Sequence, residues 1–391
     1  MLNTPFSPWP SYTQEEVDAV AQTLASNRVN YWTGDRCREF ERRFADWAGT
    51  KHAVALANGT LALDLALKAL GIGPGDEVVT TPRTFIASAS CIVTAGATPV
   101  FADVDADTQN ITADTIRAVL TPRTRAIICV HLGGMPCDMD PIMALAREHD
   151  LKVIEDCAQA HGARYRGRSV GSIGHVGAWS FCQDKIMTTG GEGGMVTTDD
   201  PELWSTMWSY KDHGKSWEAV YERRHPPGPR LVHDSFGTNW RMIEMQAALG
   251  LIQLERMEDW TARRTANAEG LAEACRAFSV FRVPVTPTEV THAWYRFYAF
   301  VESGRLKPGW TRDRIIEEIN ARGVPCFHGS ASEVYLEKAF DGTGWRPRER
   351  LPTAKQLGET SLAFLVHPAL THTEISKTCD VIREVGALAQ A

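Results

Sequence analysis

A chain of 391 residues, 43% hydrophobic and 23% charged, is long enough for one large core and a smaller second one. Its 41 lysines and arginines against 48 acidic residues leave a formal charge of −7, which argues against nucleic acid or an anionic membrane surface as a partner. The opening MLNTPFSPWPSYTQEE lacks the pattern of a secretion signal, no apolar run spans a bilayer, and the nine cysteines are scattered without a C-x-x-C pair. The expectation is a cytoplasmic protein with reduced, mostly core thiols and no metal site.

In chain order, residues 14–26 carry helical periodicity, and CREFERRFADWA (37–48) puts Phe40, Phe44 and Trp47 on one helical face. Short apolar runs at 52–56, 77–80, 98–101, 126–130, 152–154 and 176–181 read as strands, most of them separated by helical stretches such as 61–70, 86–95 and 142–149. Such alternation predicts a largely parallel sheet covered on both faces. GGMVTT (193–198) follows its neighbour closely and reads as an antiparallel seventh strand. The polar stretch 211–237 reads as a long functional or mobile loop. A helix from 243 to about 267 then leads into an α+β segment with a strand at 294–301 and helices at 312–321 and 374–389. The expected division is a large domain over 14–250 and a small C-terminal one over 251–391, with residues 1–13 packed near the latter.

Three distant segments look like parts of one site. Ala57-Asn58-Gly59-Thr60 opens a helix after a strand; unpaired N–H groups there suit a phosphate, although a plain helix cap reads the same way. In KVIEDCAQAHG, Asp156 ends an apolar strand, where ligands gather in open α/β sheets, and Gln159 follows one helical turn later. A carboxylate there pairs with a protonated heterocyclic nitrogen, or caps the next helix. In WSFCQDKIMTTGGEGG, Lys185 precedes a glycine-rich turn; a cleft lysine can form a Schiff base, whereas most lysines are solvated.

The motifs NYWTG, FERRFADWAGTKHAVALANGTLALDLAL, GDEVVTTPRTFIAS, ATPVFADVD, VIEDCAQAHG, SFCQDK and GTNWRMIEMQAALG, in this order, cover nearly the whole chain. In them the chain resembles the DegT/DnrJ/EryC1/StrS sugar aminotransferases of the pyridoxal-phosphate-dependent fold type I. That fold is α/β, with a mostly parallel seven-stranded sheet flanked by helices in the large domain and a smaller C-terminal α+β domain. The resemblance implies that Lys185 would hold pyridoxal 5'-phosphate as a Schiff base and shuttle the proton. Asp156 would pair with the pyridinium nitrogen, Gln159 with the phenolic oxygen, and Phe85 would stack on the ring. Gly59, Thr60 and Ser180 would hold the phosphate. Asn239 would reach the phosphate of a neighbouring subunit's cofactor, which implies a homodimer with shared sites; by itself Asn239 also reads as a helix cap.

A branch of this family carries histidine at the lysine position and dehydrates sugars; Lys185 favours transamination. The implied reaction moves an amino group from L-glutamate to a nucleotide-linked keto-sugar, with ping-pong kinetics. Arg230 and its neighbours Arg223, Arg224 and His225, Arg241, and His328 in PCFHGSASEVY are substrate candidates. Against this stand a solvated loop for the arginines, an ion pair for Arg241 and a core position for His328. Competing readings are a lyase, decarboxylase or dehydratase on the same fold, a regulator without turnover, and amination of a free cyclitol or a 3-keto sugar.

Overall fold

The computed structural model describes residues 6–391. Helix α1 (Gln14–Ala25) opens on a capping box in which Glu16 accepts hydrogen bonds from the backbone and hydroxyl of Thr13. Helix α2 (Arg36–Ala48) buries Cys37, Phe40, Glu41, Phe44, Ala45 and Ala48, the stripe a 3.6-residue period predicts. It stops at Gly49, whose φ of +71° suits glycine.

The large sheet holds β1 (His52–Leu56), β2 (Glu77–Thr80), β3 (Thr98–Phe101), β4 (Thr124–Val130), β5 (Lys152–Asp156), β8 (Val176–Ser180) and β9 (Gly194–Thr198), in the order β1-β9-β8-β5-β4-β2-β3. Between β5 and β8 lies a small hairpin, β6 (Arg164–Tyr165) and β7 (Arg168–Ser169). Strands β3, β2, β4, β5 and β8 pair in parallel, and only β9 runs against its neighbours. The seven expected strands are all present, with β9 in the antiparallel role. Alternate residues of β1 face opposite layers: Ala53 and Ala55 join the core built on α2, while Val54 and Leu56 join the one formed with α3 (Gly59–Ala69), α4 (Ala87–Thr94) and α7 (Pro201–Tyr210). Helices α5 (Ala113–Arg117) and α6 (Met139–Glu148) add to the layer against β4.

Two readings of the sequence are corrected here. The polar stretch 211–237 is not structureless: α8 (Trp217–Tyr221) forms in it and packs Trp217 against Trp204 and Trp208, with ring centroids 5.2 Å apart in each pair. The single helix expected from 243 is two, α9 (Glu244–Glu255) and α10 (Met257–Arg276). At the junction Arg256 turns back to hold Glu15 and Glu16 of α1, at 2.6 and 3.0 Å. The expected 250/251 division falls inside α9, whose buried face belongs to the core under α2. The second core takes α10 from Ala268 onward, while Met257 and Trp260 at its start still pack on the first.

That second core lies on an antiparallel sheet of β10 (Phe281–Arg282), β12 (Phe297–Val301), β14 (Ser361–Phe364) and β13 (Cys326–Phe327), in that order, covered by α10, α11 (Arg312–Ala321) and α13 (His372–Ala389). Strand β12 starts at Phe297 rather than 294 because Trp294 holds a φ of +50°, outside the extended region. Strand β11 (Val290–Thr291) instead joins the hairpin of the first unit, and α12 (Pro352–Thr360) packs beside Ala363 of β14 against the first unit's β4 layer. Of residues 1–13, the first five lie outside the described residues. Phe6 packs on the second core, and Ser7 donates to Glu374 of α13 through its backbone N–H at 2.5 Å and its hydroxyl at 2.9 Å. No helix among the described residues is long and apolar enough to cross a membrane.

Candidate active site

The carboxyl ends of β5 and β8 and the first turn of α3 meet at one place. Asp156, the last residue of β5, is 6% exposed. Its Oδ2 accepts from Ser88 Oγ at 2.8 Å and its Oδ1 from the Ala158 N–H at 3.1 Å. Ser88 stands one turn into the TFIASAS segment and shares a 2.9 Å hydroxyl contact with Thr84. Gln159, also 6% exposed, accepts from the Gly133 N–H at 2.8 Å, which leaves its amide NH2 as the free end. Ser180 closes β8, and Gly59 begins α3 directly against it: a Cβ at Gly59 would lie 2.4 Å from Ser180 Cβ. Asn58 caps α3 by accepting from the Leu61 N–H at 3.0 Å, so both the capping reading and the open helix N-terminus hold at once. Thr60 is exposed beside it.

Lys185 follows β8 and is half-buried. Its carbonyl accepts from Trp9 Nε1 at 2.8 Å, and its Nζ lies 5.3 Å from the centre of the Tyr295 ring. The Tyr295 hydroxyl donates to Asp184. Burial pushes the Lys185 ammonium down, but the neighbouring Tyr295, Asp184 and Asp156 more than reverse this and leave it above the ordinary lysine value. Gly190 and Gly191, with φ of +90° and +125°, make the following turn. Behind the site, Glu155 accepts from His131 Nε2 at 3.0 Å and from the N–H groups of Gly171, Ile173 and Gly174. Burial raises its carboxyl, yet His131 and these N–H groups hold it below the usual range. His131, Glu155 and Cys157 cluster within 4.8 Å, but the Glu155 oxygens are spent on those donors and His131 Nδ1 accepts from Cys137 at 3.0 Å. The cluster is a structural anchor for the 171–174 loop.

The model of the DegT/DnrJ/EryC1/StrS aminotransferase family matches residues 10–383. The chain belongs to that family. Among solved structures, an aminotransferase from Psychrobacter cryohalolentis is 66% identical with a TM-score of 0.97, covering 98% of this chain and 99% of that one. DesV of S. venezuelae, solved in complex with a ketimine intermediate, is 34% identical with a TM-score of 0.86, covering 98% and 99%. GDP-perosamine synthase of Caulobacter vibrioides is 40% identical over 89% of each chain. The fold is therefore that of the pyridoxal-phosphate-dependent transferases of type I, and the protein is an aminotransferase.

The other sequence candidates of this family member lie as follows. Phe85 is 65% exposed on the loop before α4. Asn239 is exposed and caps no helix; its backbone bridges to Asp212. Arg241 is an ion-pair residue, with Nη1 2.5 Å from Asp212, which also takes Lys215 at 3.0 Å and Trp32 Nε1 at 2.6 Å. Arg230 donates to the carbonyls of Ala219 and Val220, and Arg223 grips Asp234 with two bonds of 3.1 and 2.6 Å, so both guanidinium groups are committed inside their own loop. His328 is exposed rather than a core residue. Sequence reasoning missed Ser88, Trp9, Tyr295 and Asp184. Only Trp9, in the Pro- and aromatic-rich FSPWP, carried a local signal.

Proposed function

We propose that this aminotransferase moves an amino group from L-glutamate to a nucleotide-linked keto-sugar, an NDP-4-keto-6-deoxyhexose, with Lys185 as the catalytic amine and pyridoxal 5'-phosphate as cofactor. The observation that carries this reading is the convergence of Lys185, Asp156, Ser180 and the first turn of α3 at the carboxyl ends of β5 and β8. The residues suit the cofactor. The lack of a Cβ at Gly59 lets the first turn of α3 lie directly against Ser180, so that Ser180 Oγ and the α3 N-terminus form an anion cradle, and an exposed Phe85 offers a ring face. Asp156 would hold the ring nitrogen, Gln159 the phenolic oxygen, Gly59, Thr60 and Ser180 the phosphate.

Bound there, the cofactor supplies an electron sink and a temporary store for the amino group. The chain moves the proton. Lys185, once free as the neutral amine, would take the proton from the donor's α-carbon, carry it as the ammonium that Tyr295, Asp184 and Asp156 favour, and give it up again to complete the half-reaction. Ser88 and Ala158 keep Asp156 aimed through both halves of the reaction. The nucleotide-sugar acceptor is argued from GDP-perosamine synthase, whose product is a nucleotide-linked amino sugar by name. A 3-keto sugar or a keto-cyclitol is the alternative acceptor. Exposed Asn239, with no hydrogen bond from its side chain within the described residues, supports a homodimer in which it serves the neighbouring site. We place the enzyme in the cytoplasm, whose reducing conditions suit nine cysteines that are all free thiols.

The test is the visible spectrum of cofactor-loaded protein before and after L-glutamate. Loss of the lysine-bound band to the pyridoxamine form is expected, and Lys185→Ala should show no such band. A wild-type band that glutamate leaves unchanged would defeat the donor assignment.

A further inference from the structure

A second group of cations flanks Lys185 that the cofactor residues do not use. Arg296 Cζ lies 4.8 Å from the centre of the Tyr295 ring, the same ring that Lys185 Nζ approaches at 5.3 Å. Arg264 on α10 is 1% exposed; its Nη1 donates to the Trp294 carbonyl at 3.2 Å, and its buried Nε has no partner. Among the described residues no carboxylate lies within 4.0 Å of either guanidinium. His367, 2% exposed, also leaves its Nδ1 buried and unpartnered. Trp9 lies between these groups: its ring is 5.1 Å from Arg264 Cζ and 5.6 Å from the His367 ring, while its N–H holds the Lys185 carbonyl. Buried cations without counter-ions are costly, and adjacent ones more so. Burial and then Arg296 push Arg264 down to about 9, and burial with both arginines pushes His367 down to about 3. Asp184 is already shared by Tyr295 and Lys185, and Glu374, whose charge reaches His367, is engaged by the N–H groups of Ser7 and Thr371.

We propose that Arg296 binds a carboxylate of the amino-acid donor, with Arg264 adding its charge from behind. The inference rests on the amino-transfer reading above. Any α-amino acid that brings its amine to Lys185 brings a carboxylate one carbon away, and a half-buried guanidinium is the group that pairs such an anion with two bonds. A nucleotide-linked sugar, in contrast, keeps its negative charge on the diphosphate, away from the carbon to be aminated. Arg264 is too enclosed to touch a ligand; it acts on the field that a bound carboxylate feels. Neither residue stood out in the sequence.

The experiment titrates the visible band of cofactor-loaded wild type, Arg296→Met and Arg296→Gln with L-glutamate and with n-propylamine, which lacks a carboxylate. The KM of the nucleotide-sugar is measured in parallel. In both variants the half-saturating glutamate concentration should rise about 10- to 100-fold, the worth of a charge-assisted pair. The response to n-propylamine, the band itself and the acceptor KM should stay near wild type. An unchanged glutamate response in either folded variant overturns the proposal. So does an equal loss with n-propylamine, which would mean a general disturbance, or a change confined to the acceptor KM, which would assign the anion to the sugar nucleotide. A wild type that no amino acid converts would instead defeat the amino-transfer reading itself.

Discussion

Asp212 shows how much one buried carboxylate can organise. It is wholly enclosed and holds Lys215, Arg241 and the Trp32 indole together beside the Asn239 bridge. Burial raises its carboxyl, but Lys215 and Arg241 outweigh this and hold it below the usual carboxylate range. Asp212→Asn should destabilise the protein by about 3 kcal/mol, because two cations are left without a partner. The sign with pH follows from the depressed folded value: the contribution is complete above the ordinary carboxylate range and is lost as pH falls through the folded value. Denaturant unfolding at neutral pH and at about pH 3 should therefore show the wild-type advantage shrinking in acid. Ser88 acts on a smaller scale. Ser88→Ala removes one donor to Asp156, and cofactor release should quicken several-fold, read by loss of the visible band on dilution, a change of about 1–2 kcal/mol.

At the level of elements, the site depends on how closely α3 approaches the sheet. Gly59 meets Ser180, and Gly194 at the start of β9 meets the Asn58 carbonyl, where a Cβ would lie 2.2 Å away. Backbone cannot yield as a flexible side chain can. Gly59→Ala should push the first turn of α3 off β8, cost about 1–3 kcal/mol and weaken phosphate binding more than it weakens the fold. Equilibrium dialysis of the cofactor against thermal unfolding of the cofactor-free protein separates the two effects. The loop of residues 211–237 is the opposite case. Its tryptophans anchor α8 on α7, yet Leu231 and Phe236 remain 81% and 100% exposed. Apolar side chains so placed suit a surface that a second subunit covers.

For the whole molecule, the proposed shared site makes a prediction that a monomer cannot meet. Sedimentation should give twice the 43.2 kDa of the chain. Lys185→Ala and Asn239→Ala homodimers should each be nearly inactive. Co-expressed, they form mixed dimers in which one site has both residues intact, so that roughly a quarter of wild-type activity returns. Absence of any recovery would place Asn239 in its own subunit's site, and an active Asn239→Ala homodimer would place it in none. Acidic side chains staple the two units together: Asp107 pairs with Arg282 at 2.7 Å, and Asp103 accepts from the N–H groups of Thr353 and Ala354 at 2.9 Å each. Arg83, wholly buried on the loop before Phe85, donates to Gln109 at 3.1 Å and to Ser332 at 2.8 Å across that boundary.

Much of this was legible in the sequence because it is local. Strands of the large sheet announce themselves as apolar runs, and Asn58 marks a helix start through backbone chemistry that acts within a few residues. Lys185, Asp156 and Gln159 could be singled out because each stands near a strand end or a glycine turn, whereas Ser180 came only from the family resemblance. Tertiary structure alone decided the rest. The break at Arg256 exists because its guanidinium turns to α1, some 240 residues away in the chain, and helical periodicity carries no trace of that pairing. Arg241 could be read as binding substrate until Asp212 was seen to claim it. The meeting of Trp9, Arg264, Tyr295, Arg296 and His367 around Lys185 brings both chain ends to the middle of the sequence, and unpaired charge has no local signature. Local propensity is written residue by residue, whereas counter-ions, and their absence, are set only by what the fold brings near.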